Sequence, residues 1–186
     1  MKTQYYTASS LDGFIADKQN SLDWLFQCGE GPPGDYQGFI DAVGAIAMGA
    51  TTYEWILSHH ILPGADRPRP WAYTQPTWVF TSRTLPRVPG AEIRFVRGDV
   101  RVVHHEMVNS ADGKNIWIVG GGELAGQFHD AGLLDEIVVG IASVTLGGGA
   151  PLLPRRIASP PLRLVSALAH GTGFAELTYE VPKPHT

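Results

Sequence analysis

Short apolar runs, punctuated by glycine, set the rhythm of the chain. Residues 3–8 (TQYYTA) are rich in β-formers. Residues 45–48 (AIAM), 77–81 (TWVFT), 92–96 (EIRFV), 115–119 (NIWIV) and 135–142 (DEIVVGIA) are brief apolar stretches of the length expected for buried strands. Helices are expected between them. The first covers 36–43, with Asp35 as its N-cap and Gly44 as its end. The second follows Gly49, with Tyr53, Trp55, Ile56 and Leu57 as its apolar side; the others cover 99–111 and 123–130 (ELAGQFHD). The last two strands, 162–169 and 173–181, meet near Gly171-Thr172-Gly173, which suits a tight hairpin. Residues 14–34 and 59–75 carry no clean period. Strands alternating with helices predict an α/β domain: a mixed, mainly parallel central sheet with helices on both faces and a C-terminal antiparallel β-hairpin.

A length of 186 residues suits one domain, taken as 1–182, with 183–186 as a loose tail. With 44% hydrophobic and 17% charged residues the composition is that of a globular protein. The formal net charge of -4, with no run of Lys and Arg, argues against nucleic acid or an anionic membrane as partner. An anionic ligand therefore needs a local cationic or main-chain site. No stretch reaches the ~20 apolar residues of a membrane span, and no apolar segment follows a basic start. The expected location is the cytoplasm. The lone Cys28 forms no intramolecular disulfide and reads as an incidental thiol.

Candidate chemistry gathers where strands end. Ile116-Trp117-Ile118-Val119-Gly120-Gly121-Gly122-Glu123-Leu124 is an apolar strand, three glycines and a helix start. Glycines let a ligand approach the main chain, and the first N–H groups of a helix lack internal partners and sit at the positive end of its dipole. The spacing is neither G-x-G-x-x-G nor a Walker A loop. Ala47-Met48-Gly49-Ala50-Thr51-Thr52 repeats the strand–glycine–helix geometry with two hydroxyls, and Val79-Phe80-Thr81-Ser82-Arg83 ends a strand in hydroxyls and an arginine. In open α/β sheets ligands bind at the carboxyl ends of strands, where all three segments lie.

The runs MGATTYEW (48–55), VFTSR (79–83) and IWIVGGGELAGQF (116–128) occur in the order and at separations similar to those of the dihydrofolate-reductase-like superfamily. The opening YYTASSLDGFIAD (5–17), with Leu22-Asp23-Trp24-Leu25, resembles the same superfamily's first strand and active-site loop. VTLGGGAPLLP (144–154) resembles the riboflavin-biosynthesis reductase branch. The resemblance implies an NADPH-dependent oxidoreductase, with NADH left open. It implies that Gly49, Thr51 and Thr52 hold the cofactor pyrophosphate, and that Thr81, Ser82 and Arg83 contact the adenosine ribose and its 2′-phosphate. Gly120, Gly121, Gly122, Glu123 and Leu124 wrap the second phosphate side, with Gln127 nearby. Ala8, Asp12, Gly13 and Ile15 lie near the nicotinamide, and a cis peptide is expected at Gly120–Gly121. Ala50 and Glu123 depart from the pattern, since relatives place cations there, and this leaves Arg83 as the visible partner for a 2′-phosphate.

Substrate contacts are expected from Asp12, Gly13, Trp24 and Phe39. Asp35 is the candidate proton donor, and its competing role is a plain N-cap; Asp12 is the second candidate. The pairs His59-His60 and His104-His105 lack a third ligand at metal spacing and read as surface or loop residues, and no metal is expected. Arg67 and Arg69 are available to a substrate phosphate. The implied substrate is a small heterocycle, as for 5-amino-6-(5-phosphoribosylamino)uracil reductase. The alternatives are a true dihydrofolate reductase and a non-catalytic nucleotide-binding protein of the same fold. A homodimer is expected, with Trp55 and Trp71–Tyr73 as exposed aromatic regions for its interface.

Overall fold

In β1, Thr3–Ser10, consecutive residues point to opposite faces of a sheet, and the two tyrosines at its centre enter different cores. Tyr5 joins one hydrophobic cluster and Tyr6 the other. The same alternation sorts Ala45 and Ala47 from Ile46 and Met48 in β3, Val43–Gly49, and Ile116 and Ile118 from Trp117 in β6, Asn115–Gly120. These strands are apolar on both faces because both faces are covered. The computed structural model describes residues 1–28, 36–62, 64–65 and 69–183.

With β4 (Thr77–Phe80), β5 (Ile93–Val96), β7 (Glu136–Ala142), β9 (Arg163–His170) and β10 (Phe174–Glu180), these strands form an eight-stranded sheet in the order β5-β4-β3-β6-β1-β7-β10-β9. β10 alone runs against the others, pairing antiparallel with β7 and β9. The first face is covered by α4 (Val100–Ser110) through Val100, Val103 and Met107, and by α5 (Gly122–Asp130) through Leu124, Ala125 and Phe128. The second face is covered by α2 (Tyr36–Asp41) and α3 (Ala50–Ile56), the latter continued by a π-helical turn, Leu57–Ile61. Burying each large apolar side chain contributes roughly 1.5–3 kcal/mol, so both clusters matter to the fold. This is the expected α/β architecture, hairpin included.

Four expectations change. The helix after residue 35 ends at Asp41, and Gly44 belongs to β3. Glycine is needed there because a Cβ would stand 2.1 Å from the carbonyl oxygen of Ala111, at the end of α4. Within 14–28 the chain forms β2 (Phe14–Ala16) and α1 (Asp23–Phe26); β2 pairs with β8 (Ala150–Pro151), a partner more than a hundred residues away. The π-helical turn falls in a segment without periodic signal. Lys183 is not loose: its ammonium donates to the carbonyls of Gly132 and Leu134 and pairs with Asp135, while 184–186 lie outside the described residues.

Candidate active site

Parallel pairing brings strand tips together. Gly49 stands opposite Phe80, and Met48 opposite Gly120, so the carboxyl ends of β3, β4 and β6 share one edge. Beside that edge is a cavity of about 630 Å³, within the range of small-molecule sites. Its floor is Thr51, Thr52 and Gly120 to Glu123; Ile15, Ala16 and Leu22 close one side, and Trp55, Ile56 and Tyr73 another. A second hollow of about 500 Å³, with Glu54, Ser58 and His59, adjoins it through Asn20, Thr51 and Trp55.

The helices that open on the cavity start on glycine. Gly49 caps α3 and Gly121 caps α5, each without a side-chain hydrogen bond to the first turn. The helix α4, on the same face as α5, differs: Asp99 caps it by accepting from the Arg101 N–H. The first-turn N–H groups beside the cavity thus have no side-chain cap. The triple glycine is sterically required. A Cβ at Gly120 would lie 2.7 Å from Thr52 Oγ1, and one at Gly122 would lie 2.2 Å from the Pro151 carbonyl oxygen. Gly121 has φ +99°, which turns strand into helix. The peptide joining it to Gly120 is trans, contrary to expectation, because this left-handed residue already makes the reversal.

The cavity's mouth is shaped by acids that serve the backbone. The Asp17 carboxylate accepts from the N–H groups of Gln19 and Ser21, which sets Asn20 at φ +59° beside Leu22. Asp12 accepts from the Ser10 hydroxyl and from the N–H groups of Leu146 and Gly147. The Ser10 bond first, then the Leu146 bond, hold its carboxyl below the usual range. Asp12 therefore ties the first loop to the 144–149 loop and is a poor proton donor, and Gly13 also serves the backbone by accepting from the Leu152 N–H.

Other expected residues are placed differently. Leu124 is core. Trp24 packs with Ala142 and Phe174 in a satellite core, where the Cys28 thiol donates to its carbonyl. Phe39 meets Tyr6 and Trp117 edge-on, and Thr7 rather than Ala8 lines the cavity. The Gln127 side chain donates to Glu123. Thr81, Ser82 and Arg83 form the exposed tip of β4 next to the cavity, and Arg83 is held by Glu54 through two bonds of 2.8 and 2.9 Å. Trp55 and Tyr73 line the cavity, and Trp71 packs on Tyr53 and Tyr73, so all three are half-buried rather than exposed. His59 stacks on Trp55, and His104 is half-buried against Thr3, with burial lowering its pKa, so neither is a plain surface residue. Asp35 and Arg67 lie outside the described residues.

Arg155 was not legible. It donates two bonds to Glu123 and one to Asp130, and its guanidinium lies where a Cβ on Gly126 would be. The Arg155 bonds hold the Glu123 carboxyl below its usual range. They also supply a cation beside the position where the sequence offers an acid. Only an unremarkable Pro-Arg-Arg in the sequence hints at this residue.

The RibD C-terminal domain model matches residues 56–175. Uncharacterized protein YwjB of Bacillus subtilis (strain 168) is 32% identical over 165 residues, covering 88% of each chain. A structure from Shewanella sp. PV-4, whose name assigns it to riboflavin biosynthesis, is 26% identical with a TM-score of 0.74, covering 97% of this chain and 98% of that one. Dihydrofolate reductase from Enterococcus faecalis, complexed with NADP(H), is similar in fold alone, at 16% identity and TM-score 0.60 over 96% of this chain and 95% of that one. On the family match and the identity to YwjB, the chain belongs to the RibD C-terminal domain family, built on a dihydrofolate-reductase-like fold.

Proposed function

We propose that this protein is an NADPH-dependent reductase of a small nitrogen heterocycle, similar to 5-amino-6-(5-phosphoribosylamino)uracil reductase, acting in the cytoplasm. One observation carries the reading: two helices, α3 and α5, start on glycines without side-chain caps at the floor of one cavity. Phosphate oxygens suit such N–H groups, and the Thr51 and Thr52 hydroxyls add donors. The residues present fit a dinucleotide in that two helix starts and two hydroxyls line one cavity of about 630 Å³. The reduced nicotinamide supplies a hydride. Ile15, Ala16 and Leu22 form the apolar side that keeps water from it. The family supports the reductase class, and the name of the Shewanella relative supports the riboflavin connection.

The cofactor test is thermal denaturation with NADPH, NADH and NADP⁺ side by side. A bound cofactor at 100 times its Kd adds about 2.7 kcal/mol; no shift with any of them overturns the reading. Arg83→Ala should erase any preference for NADPH, because the 2′-phosphate then loses the cation that Glu54 holds in the cofactor's absence. Turnover of dihydrofolate with tight antifolate binding would instead identify a dihydrofolate reductase. Cofactor oxidation at background with pyrimidines, pterins and quinones alike would identify a non-catalytic nucleotide binder. A homodimer is proposed too, through the exposed edge strand β9, where Leu164, Val165 and Leu168 are each more than half exposed.

A further inference from the structure

Two acids of α5, Glu123 in its first turn and Asp130 at its end, share one guanidinium. Arg155 donates from Nη1 to Oε2 of Glu123 at 2.9 Å and from Nη2 to Oε1 at 2.8 Å, while its Nε donates to Oδ2 of Asp130 at 2.7 Å. The two acids stand about two turns apart, and Gly126 lies between them. A Cβ on Gly126 would come within 2.6 Å of Arg155 Cζ and 2.9 Å of Nε. The missing side chain therefore makes the seat in which the guanidinium rests. Only 20% of the Arg155 side chain is exposed, although it carries a charge.

The same residue belongs to the wall of the cavity. It follows a segment in which Ala150, Pro151 and Pro154 are lining residues. Its N–H donates to the Leu153 carbonyl, and Nη1 also donates to the Pro154 carbonyl. The Tyr5 hydroxyl donates to the Leu152 carbonyl and fixes that segment to β1. Glu123 lines the cavity too, next to Gly120, Gly121 and Gly122. An acid in the first turn of a helix suits the helix dipole. It opposes a phosphate that seeks the same turn, because like charges repel strongly at short range. The Arg155 bonds hold the Glu123 carboxyl below its usual range, so it is ionised at neutral pH and only a cation can offset it.

We propose that Arg155 is a positioning residue that makes the start of α5 an anion site by neutralising Glu123 and holding its carboxylate on the Gly126 side. Both carboxylate oxygens are turned to the guanidinium, and Gln127 adds a longer bond to Oε1. A forked pair of this kind fixes direction as well as charge, which a lysine at 155 could not do. The anion class is a phosphate or pyrophosphate group. Its identification with the cofactor's pyrophosphate rests on the reductase reading; the neutralised helix start does not.

The test measures calorimetric affinity of the full chain for NADP⁺ and, separately, for inorganic pyrophosphate at low ionic strength. Arg155→Gln should weaken both at least tenfold, and the loss should shrink as salt is raised. Adding Glu123→Gln to Arg155→Gln should return both affinities to within about threefold of wild type, which a purely structural role for Arg155 would not allow. If Arg155→Gln fails to fold, Gly126→Ala decides. Alanine favours the helix interior, and its methyl displaces the guanidinium while leaving the charge in the chain. It should also weaken both ligands, with rescue by Glu123→Gln. Wild-type affinity in the variant that folds, or a double variant as weak as the single one, overturns the proposal. If pyrophosphate binds and NADP⁺ does not, the reductase reading falls and the pyrophosphate series still decides the role of Arg155. Binding of neither overturns both.

Discussion

Gly122 sits where α5 meets the segment after β8, with the carbonyl oxygens of Pro151 and Leu152 2.2 and 2.5 Å from the place a Cβ would occupy. Both neighbours are backbone and cannot swing aside. Gly122→Ala should therefore cost about 1–3 kcal/mol through overpacking, visible as a lower melting temperature, and should weaken cofactor binding by displacing the first turn of α5. An unchanged melting temperature would show that the two segments are looser than described. Asp12 gives a pH signature at the same scale. Its carboxyl is held below the usual range, mainly by the Ser10 hydroxyl and then by the Leu146 N–H. The stabilisation is thus full above the ordinary carboxylate pKa of ~3.9 and is lost as pH falls below it. Asp12→Asn should lower stability at pH 7 and flatten the decline as pH falls below about 4, as followed by thermal melts. A mutant with the wild-type pH slope would remove Asp12 from this role. Residue types at strand tips were legible in the sequence: Thr51, Thr52 and the triple glycine line one cavity, and Gly49 stands at the end of β3 as the cap of α3. Their pairing was not. Arg83 with Glu54 and Arg155 with Glu123 join positions 29 and 32 apart, across elements whose relative placement no local pattern encodes.

At the scale of elements, the contrast between helix starts makes a prediction. α4 begins on Asp99 with an ordinary side-chain cap, whereas α3 and α5 begin on uncapped glycines at the cavity. Asp99→Ala should lower the melting temperature by a few degrees and leave the cofactor dissociation constant unchanged, since α4 borders no part of the cavity floor. A change in cofactor affinity there would mean that the helix layers are coupled. The strands and the helices α3, α4 and α5 were readable because alternating apolar runs and glycine or polar starts are local signals. β2, β8 and the π-helical turn were not. A three-residue strand has too few positions to show a period, and β2 exists only because residues 150–151 lie beside it.

For the whole molecule, the exposed edge is the open question, and β9 answers it in the dimer proposal. Its eight residues carry a run of apolar side chains on an unpaired strand edge, which natural proteins cover or charge. Sedimentation velocity should find a dimer, and Val165→Lys together with Leu168→Lys should convert it to a monomer. A monomeric wild type at micromolar concentration would refute the dimer.

The sequence by itself determined the order of the eight strands of the main sheet and of the helices α2 to α5, the hairpin at the end, and the glycines that join strand to helix, because side-chain alternation and the stereochemistry of glycine act within a few residues. Only the tertiary structure decided which charges meet. Arg83 is drawn to Glu54, Asp12 is committed to the 144–149 loop, and Tyr6 reaches Glu176 across 170 positions. Those partnerships depend on register between strands far apart in the chain, which long-range packing alone establishes.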